Sequence, residues 1–171
     1  GNDVARDNPE IKTFTCPITG KQAWAVPAAK PDAVVIHAWR ADKYGNVQIQ
    51  ERSMLPQYLN VDMARACRNL IVTVEEIVDT EVIKQSPQLT LIPAFRTAAV
   101  CLVPHGSHPT ATVACTEEDG SHFETYVAAS DSSEHFDAYL DEYIRGTKDF
   151  SAYLEKIGKA HLKELEVAAH V

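Results

Sequence analysis

Two hydrophobic periods run along this chain, and the change from one to the other divides it. Between Val34 and Val103 the apolar residues come in short, β-branched runs closed by Pro, Gly or Asn. Such runs predict buried strands. The first covers residues 33–38 and leads through Arg40 and Asp42 to a turn at Gly45-Asn46, which feeds Val47-Gln48-Ile49 as a hairpin partner. Asn60 is placed to cap a short helix from Val61 to Arg68, and Leu70 to Val74 follows as a strand. A strand, a helix and a strand in succession predict a parallel crossover. Leu89 to Ile92 and Ala98 to Val103 complete the strand set, separated by Pro93 and ended by Pro104.

Beyond residue 130 the period becomes helical. Asp131-Ser132-Ser133-Glu134 has the form of a capping box. Phe136, Tyr139, Leu140, Tyr143 and Ile144 then fall on one helical face, and Gly146 ends it. A second helix is expected from Asp149, carrying Phe150, Tyr153, Leu154 and Ile157, and running through Gly158 toward Leu162 and Leu165. Residues 1–32 are broken by Pro9, Pro17, Pro27 and Pro31, so they read as an irregular lead with one short strand over 22–26. The expected fold is α/β: a mixed, largely parallel sheet flanked by helices, with a helical C-terminus, all in a single domain over 1–171.

Composition narrows the function. A net charge of -8 argues against nucleic acid, which needs a basic surface, and against an anionic membrane. The longest apolar run is far below the ~20 residues of a membrane span. Cys16, Cys67, Cys101 and Cys115 form no close pair, which fits reduced thiols and a cytoplasmic location. The chain opens Gly1-Asn2-Asp3 rather than with Met, as expected of a processed or engineered product or a piece of something longer.

Candidate chemistry gathers where strands end, the position at which open α/β sheets bind ligands. Arg40 could clamp a carboxylate or phosphate with Asp42 orienting it, or the two could form an ion pair fixing the turn. Glu75 and Glu76 are adjacent on a strand, so at most one enters a given pocket. In His105-Gly106-Ser107-His108-Pro109-Thr110, Gly106 allows close approach of the backbone to a ligand, and the flanking polar groups offer hydrogen bonds. The competing reading is that His108 bonds backbone while Pro109 holds a turn. His105, His108, Cys115 and His122 are too loosely spaced for a closed zinc site, so no metal is expected. Gly-x-Gly-x-x-Gly, P-loop and Gly-x-Ser-x-Gly elements are absent from the sequence.

Pro17-Ile18-Thr19-Gly20, Val26-Pro27-Ala28, the run from Val34 to Asn46, the segment Ile71 to Val78 and the loop Val103 to Thr110 form a family-specific series. In this order and spacing they resemble the α-type subunit of class I coenzyme A transferases, most nearly the glutaconate CoA-transferase branch, together with related CoA-thioester ring-cleaving hydrolases. The resemblance covers nearly the whole chain but only the C-terminal half or so of such a subunit. It implies CoA exchange between an acyl-CoA and a dicarboxylate, with CoA present as the substrate thioester. It also implies a β-type partner carrying the nucleophilic glutamate, and a glycine-rich loop of oxyanion donors in the N-terminal half of the α-type subunit. The nucleophile's role does not map onto Glu75 or Glu76, and the half that would carry the glycine-rich loop is not in this sequence, so this polypeptide alone is expected to be inactive. Many relatives carry Gly at the position of His105 and Ala at that of Ser107, retaining His-Pro. The substrate-binding set read here is Ser107, His108, His105, Gly106, Arg40 and Glu75. Alternatives are hydrolysis of a cyclic β-diketone CoA ester, decarboxylation of an enoyl-CoA, and a non-catalytic assembly fragment. The aromatic residues of the C-terminal helices are expected to exceed what one sheet face covers, and so to mark an interface.

Overall fold

The computed structural model describes residues 3–49 and 55–167, with backbone alone for 55–58. The chain gathers into two compact units, Gly1–Pro31 and Asp32–Val171. In the first, a short helix α1 (Asp3–Asp7) precedes a hairpin of β1 (Lys12–Thr15) and β2 (Gln22–Ala25). These strands pair antiparallel, Phe14 opposite Ala23 and Thr13 opposite Trp24. The strand expected over 22–26 is therefore present, and it has a partner that the Pro-rich composition concealed.

The second unit is built on a five-stranded sheet of β3 (Val34–Asp42), β4 (Val47–Gln48), β5 (Leu70–Val78), β6 (Thr90–Ile92) and β7 (Thr97–Leu102), in the order β6-β4-β3-β5-β7. The pairs β3/β5 and β5/β7 are parallel, whereas β4 is antiparallel to both of its neighbours, so β4 alone runs against the other strands. The mixed, largely parallel sheet read from the sequence is the one formed. The crossover from β3 to β5 passes through α2 (Leu55–Ala66). Val61, Ala64 and Cys67 pack onto Val34, Ile36 and Ala38 of β3 and onto Leu70, Val72 and Val74 of β5, forming the apolar core. Three residues 3% to 4% exposed on β3, at every second position, are what a half-covered strand requires.

Several boundaries differ from the sequence reading. The α2 helix starts before Asn60, which lies in its interior rather than at its cap, and it ends at Ala66, short of Arg68. Pro56 explains the earlier start, since proline is tolerated in a first turn where no N–H partner exists. Helix α3 (Thr80–Gln85), directly after β5, was not anticipated, nor was α4 (Gly120–Ala129). Leu89 belongs to a 3₁₀ turn (Pro87–Leu89) before β6. The cap of α5 (Ser133–Leu140) is Ser132, whose hydroxyl accepts the His135 N–H at 3.2 Å, one residue later than the expected box. Asp131 binds the His135 ring instead, at 2.7 Å. After α5 the backbone widens into a π-turn (Asp141–Arg145) that Gly146 closes. Asp149 caps α6 (Phe150–Ile157), as expected. The helix does not run through Gly158, whose φ of 100° separates α6 from α7 (Lys159–Glu164).

Candidate functional site

The parallel register of β3 and β5 sets His37 beside Thr73, and Glu75 follows two residues along on the same face. His37 Nδ1 is 2.8 Å from Thr73 Oγ1, and Nε2 donates to Glu75 Oε1 at 2.8 Å. Glu75 Oε1 also accepts from Thr112 Oγ1 at 3.1 Å, while Oε2 accepts the backbone N–H of His105 at 2.8 Å. Burial alone would raise this carboxyl's pKa. The bonds from His37, His105 and Thr112 outweigh it and hold the pKa below the ordinary glutamate value. Glu75 is thus an ionised anchor that ties a strand to the loop following β7.

That loop is wound from consecutive turns. Gly106 N–H donates to Val103 O, His108 N–H to His105 O and Thr110 N–H to Ser107 O, at 2.8 to 3.0 Å. Ser107 Oγ stands 2.6 Å from Thr112 Oγ1 and 3.0 Å from the Thr110 carbonyl, and Thr110 Oγ1 donates back to Ser107 O at 2.6 Å. A Cβ at Gly106 would lie 2.7 Å from His37 Cε1 and equally close to Val103 O. The close approach that Gly106 permits is therefore to the His37 imidazole.

His108 turns toward the C-terminal helices. Its Nε2 is 3.1 Å from Asp119 Oδ2 and its Nδ1 is 2.6 Å from the Tyr153 hydroxyl. Asp119 caps α4: Oδ1 accepts from His122 N–H at 3.0 Å and from Ser121 Oγ at 2.6 Å, and Oδ2 also receives His161 Nε2 at 2.7 Å. Burial opposes the charge, but these four bonds hold the Asp119 pKa far below the usual carboxylate range. Burial lowers the His108 pKa despite Asp119, and it lowers that of His122 as well, while burial pushes the Tyr153 phenol up to about 12.

Of the six residues read as substrate-binding, Glu75, His105, Gly106 and Ser107 come together, with His108 at the far end of the same loop. Arg40 does not join them. Its register partner is Glu76, so it lies on the opposite face from Glu75. There its Nε donates to Gln48 Oε1 at 2.9 Å and its guanidinium lies 3.7 Å from the Trp39 ring centroid. Asp42 does not orient Arg40, and the expected Arg40–Asp42 pair is replaced by other partners. Asp42 accepts from Tyr44 N–H, Asn46 N–H, Asn46 Nδ2 and Thr80 Oγ1 at 2.9 to 3.0 Å, which fixes the turn and the start of α3. Glu76 is half-exposed, 3.9 Å from Arg40.

The four loosely spaced metal candidates have protein partners: His105 faces Glu166 at 3.7 Å, and His122 Nε2 bonds Tyr139 at 2.8 Å. Among the described residues no group of three or more His, Cys, Asp or Glu is disposed around a metal position. The aromatic residues of the C-terminal helices also find partners within the chain, His122 packing edge-on against Tyr139 and Tyr143 and His108 against Tyr153. His37, Thr112, Asp119 and His161 were missed by the sequence reading. A histidine inside an apolar strand and an aspartate just before a helical Gly-Ser-His were the available signals.

Residues 4–102 match the family model described as Coenzyme A transferase. The chain is 42% identical over 93% of its length to the A subunit of 3-oxoadipate CoA-transferase from Pseudomonas knackmussii, of which it covers 54%. It is 34% identical over 86% of its length to the A subunit of glutaconate CoA-transferase from Acidaminococcus fermentans, covering 45% of it. The chain thus spans about half the length of these curated relatives. The crystal structure of the Acidaminococcus fermentans enzyme superposes with a TM-score of 0.85 over 95% of this chain and 50% of its own, at 32% identity. A variant of the decarboxylase AibA/AibB is more distant, with a TM-score of 0.61 over 81% of this chain and 50% of its own, at 27% identity. Among the described residues no helix is long and apolar enough to cross a membrane.

Proposed function

This chain belongs to the coenzyme A transferase family, and from that premise we propose that it is part of an α-type subunit that moves CoA between an acyl-CoA thioester and a carboxylic acid. The observation that carries the reading is the 42% identity to the α-type chain of a CoA-transferase along almost the whole sequence. The residues' chemistry supports it. Thioester exchange needs a carboxylate nucleophile, and Glu75 is unsuited to that role because both its oxygens already accept hydrogen bonds from the fold. A nucleophilic glutamate on a β-type partner, working against an acyl group held beside the loop from His105 to Thr110, fits this arrangement. Glu75 and His37 then act as positioning residues that fix the loop's backbone. Binding energy from the remote CoA moiety would serve the reacting centre. The location that suits such a subunit is the cytoplasm.

The test is reconstitution. The chain is co-expressed with a β-type subunit, beginning with any encoded by the adjacent gene, and supplied with an acyl-CoA and a series of mono- and dicarboxylates. Transfer predicts new acyl-CoA formed only when an acceptor acid is present. Release of free CoA at a rate independent of the acceptor would assign hydrolysis instead, and loss of carbon dioxide from an enoyl-CoA would assign decarboxylation. Absence of partner binding and of all three activities would overturn the reading.

A further inference from the structure

A cavity of about 430 Å³ opens between α5 with its π-turn and α6, away from Glu75. Tyr139, Tyr143, Phe150 and Tyr153 line it, with Thr147 and Asp149 among its polar groups. The rings pair along the two helices, Tyr139 with Tyr143 at 4.9 Å and Phe150 with Tyr153 at 5.8 Å between centroids. The π-turn carries Tyr143 itself, and such turns occur often at functional sites.

The direction of the hydrogen bonds that run through His108 follows from Asp119. As a buried carboxylate it can only accept, so His108 Nε2 carries the proton it donates to Oδ2. Burial keeps this imidazole neutral, which leaves Nδ1 as an acceptor. The Tyr153 hydroxyl, 2.6 Å away, must then donate inward to Nδ1, and it presents only lone pairs to the cavity. Thr147 Oγ1 donates to the carbonyls of Tyr143 and Ile144 at 3.2 and 3.0 Å, so its proton is engaged too. The Tyr139 hydroxyl is engaged with His122. Asp149 is acceptor-only: Oδ1 takes the Ala152 N–H at 2.9 Å, and among the described residues its ionic neighbour is Lys148, a highly exposed ammonium 3.9 Å away that screens it weakly. Tyr143's hydroxyl can serve in either direction. The cavity therefore offers aromatic faces, lone pairs and a carboxylate, and almost no donor. Lys156 Nζ, held by the Glu142 carbonyl at 2.9 Å and its carboxylate at 3.3 Å, also lies 5.2 Å from the Tyr143 ring centroid, so this ring already has a cation near it.

We propose that this cavity is a binding site for a small organic cation, an alkyl- or arylammonium group seated against Tyr143 and Phe150 with its charge toward Asp149. An anionic acid or thioester is disfavoured there by the same acceptor-only lining. The proposal goes beyond the transferase reading: His108 and Pro109, at the end of the same loop, also line the cavity, but Glu75 and residues 105–107 do not, and the cation's contacts are on the helices.

The probes are benzyltrimethylammonium and the similarly sized anion 3-phenylpropionate, titrated into the full 171-residue chain by calorimetry and by amide chemical shifts. The cation is expected to bind at least about tenfold more tightly than the anion, with shifts confined to His108 and residues 139–153. Asp149→Asn keeps a good helix cap and removes the charge, so it should leave the thermal midpoint nearly unchanged while weakening the cation about three- to tenfold. Phe150→Leu keeps apolar volume without a ring face and should weaken it similarly. Equal or tighter binding of the anion overturns the proposal. So does cation affinity unchanged in both variants, or no binding of the cation at concentrations up to about 10 mM.

Discussion

His37 Nε2 meets Glu75 Oε1 at 2.8 Å across 38 positions of sequence, and this contact decides how the loop after β7 is held. Both side chains are nearly buried, 14% and 12% exposed, so the pair acts in a medium that screens it little. Through its second oxygen Glu75 passes that fixed position to the backbone of His105.

Glu75→Gln tests the anchor. An amide nitrogen in place of one carboxylate oxygen turns either the His105 N–H or the His37 and Thr112 donors against another donor. A stability loss of about 1–3 kcal/mol is expected by denaturant unfolding. In the reconstituted enzyme turnover should fall with it. Unchanged stability would show that the loop holds its own shape.

Gly106→Ala is expected to cost about 1–3 kcal/mol by overpacking, since the new methyl meets both the His37 ring and the Val103 carbonyl. Adding His37→Ala removes only the ring contact. The double variant should therefore recover no stability, and full recovery would mean that the backbone yields more readily than the geometry implies.

His108→Ala and Ser107→Ala separate structure from substrate contact. His108 is 4% exposed with both ring nitrogens bonded, so its loss should cost about 3 kcal/mol and lower turnover in parallel. Ser107 closes a local turn, and its loss should cost about 1 kcal/mol. A fall in kcat for Ser107→Ala with the thermal midpoint nearly intact would place that hydroxyl at the acyl group. Unchanged turnover in both variants would remove the loop from the site.

Stability should fall in two stages on acidification. His108 and His122 have folded pKa values below their ordinary value, so the folded state binds fewer protons than the unfolded chain. Their contribution is complete above about pH 6.5 and is lost as pH drops through the lowered folded values. Asp119 and Glu75, also depressed, contribute fully above about pH 4.5 and lose that contribution as pH falls further. Denaturant midpoints measured from about pH 8 down to about pH 3 should show both declines. Asp119→Asn should flatten the lower one, and an unchanged acid limb in that variant would contradict the assignment.

The local elements were legible in the sequence because their causes are local. Short β-branched apolar runs from Val34 to Ala38 and from Leu70 to Val74 encode strands, the Gly45-Asn46 turn encodes the hairpin, and Asp149 encodes the start of α6. Short-range competition already blurred the finer points. Ser132 displaced Asp131 as a cap because the aspartate found a better partner in the His135 ring, and Gly158 took a left-handed conformation where the helical stripe suggested continuity. The resemblance of the motif series located the loop from His105 to Thr110 but could not say which way its side chains face. That was decided only by tertiary structure. Arg40 and Glu75 lie on opposite faces because the register of β3 on β5 puts them there, and His161 reaches Asp119 from 42 residues away because two helices fold back onto the loop. A buried carboxylate collects whatever donors the packed chain brings within reach, since leaving it unpaired costs several kcal/mol, on the order of 3–5. Ser121 and His122 are local to Asp119, but His161 there, and His37, His105 and Thr112 at Glu75, are brought in only by the assembled fold.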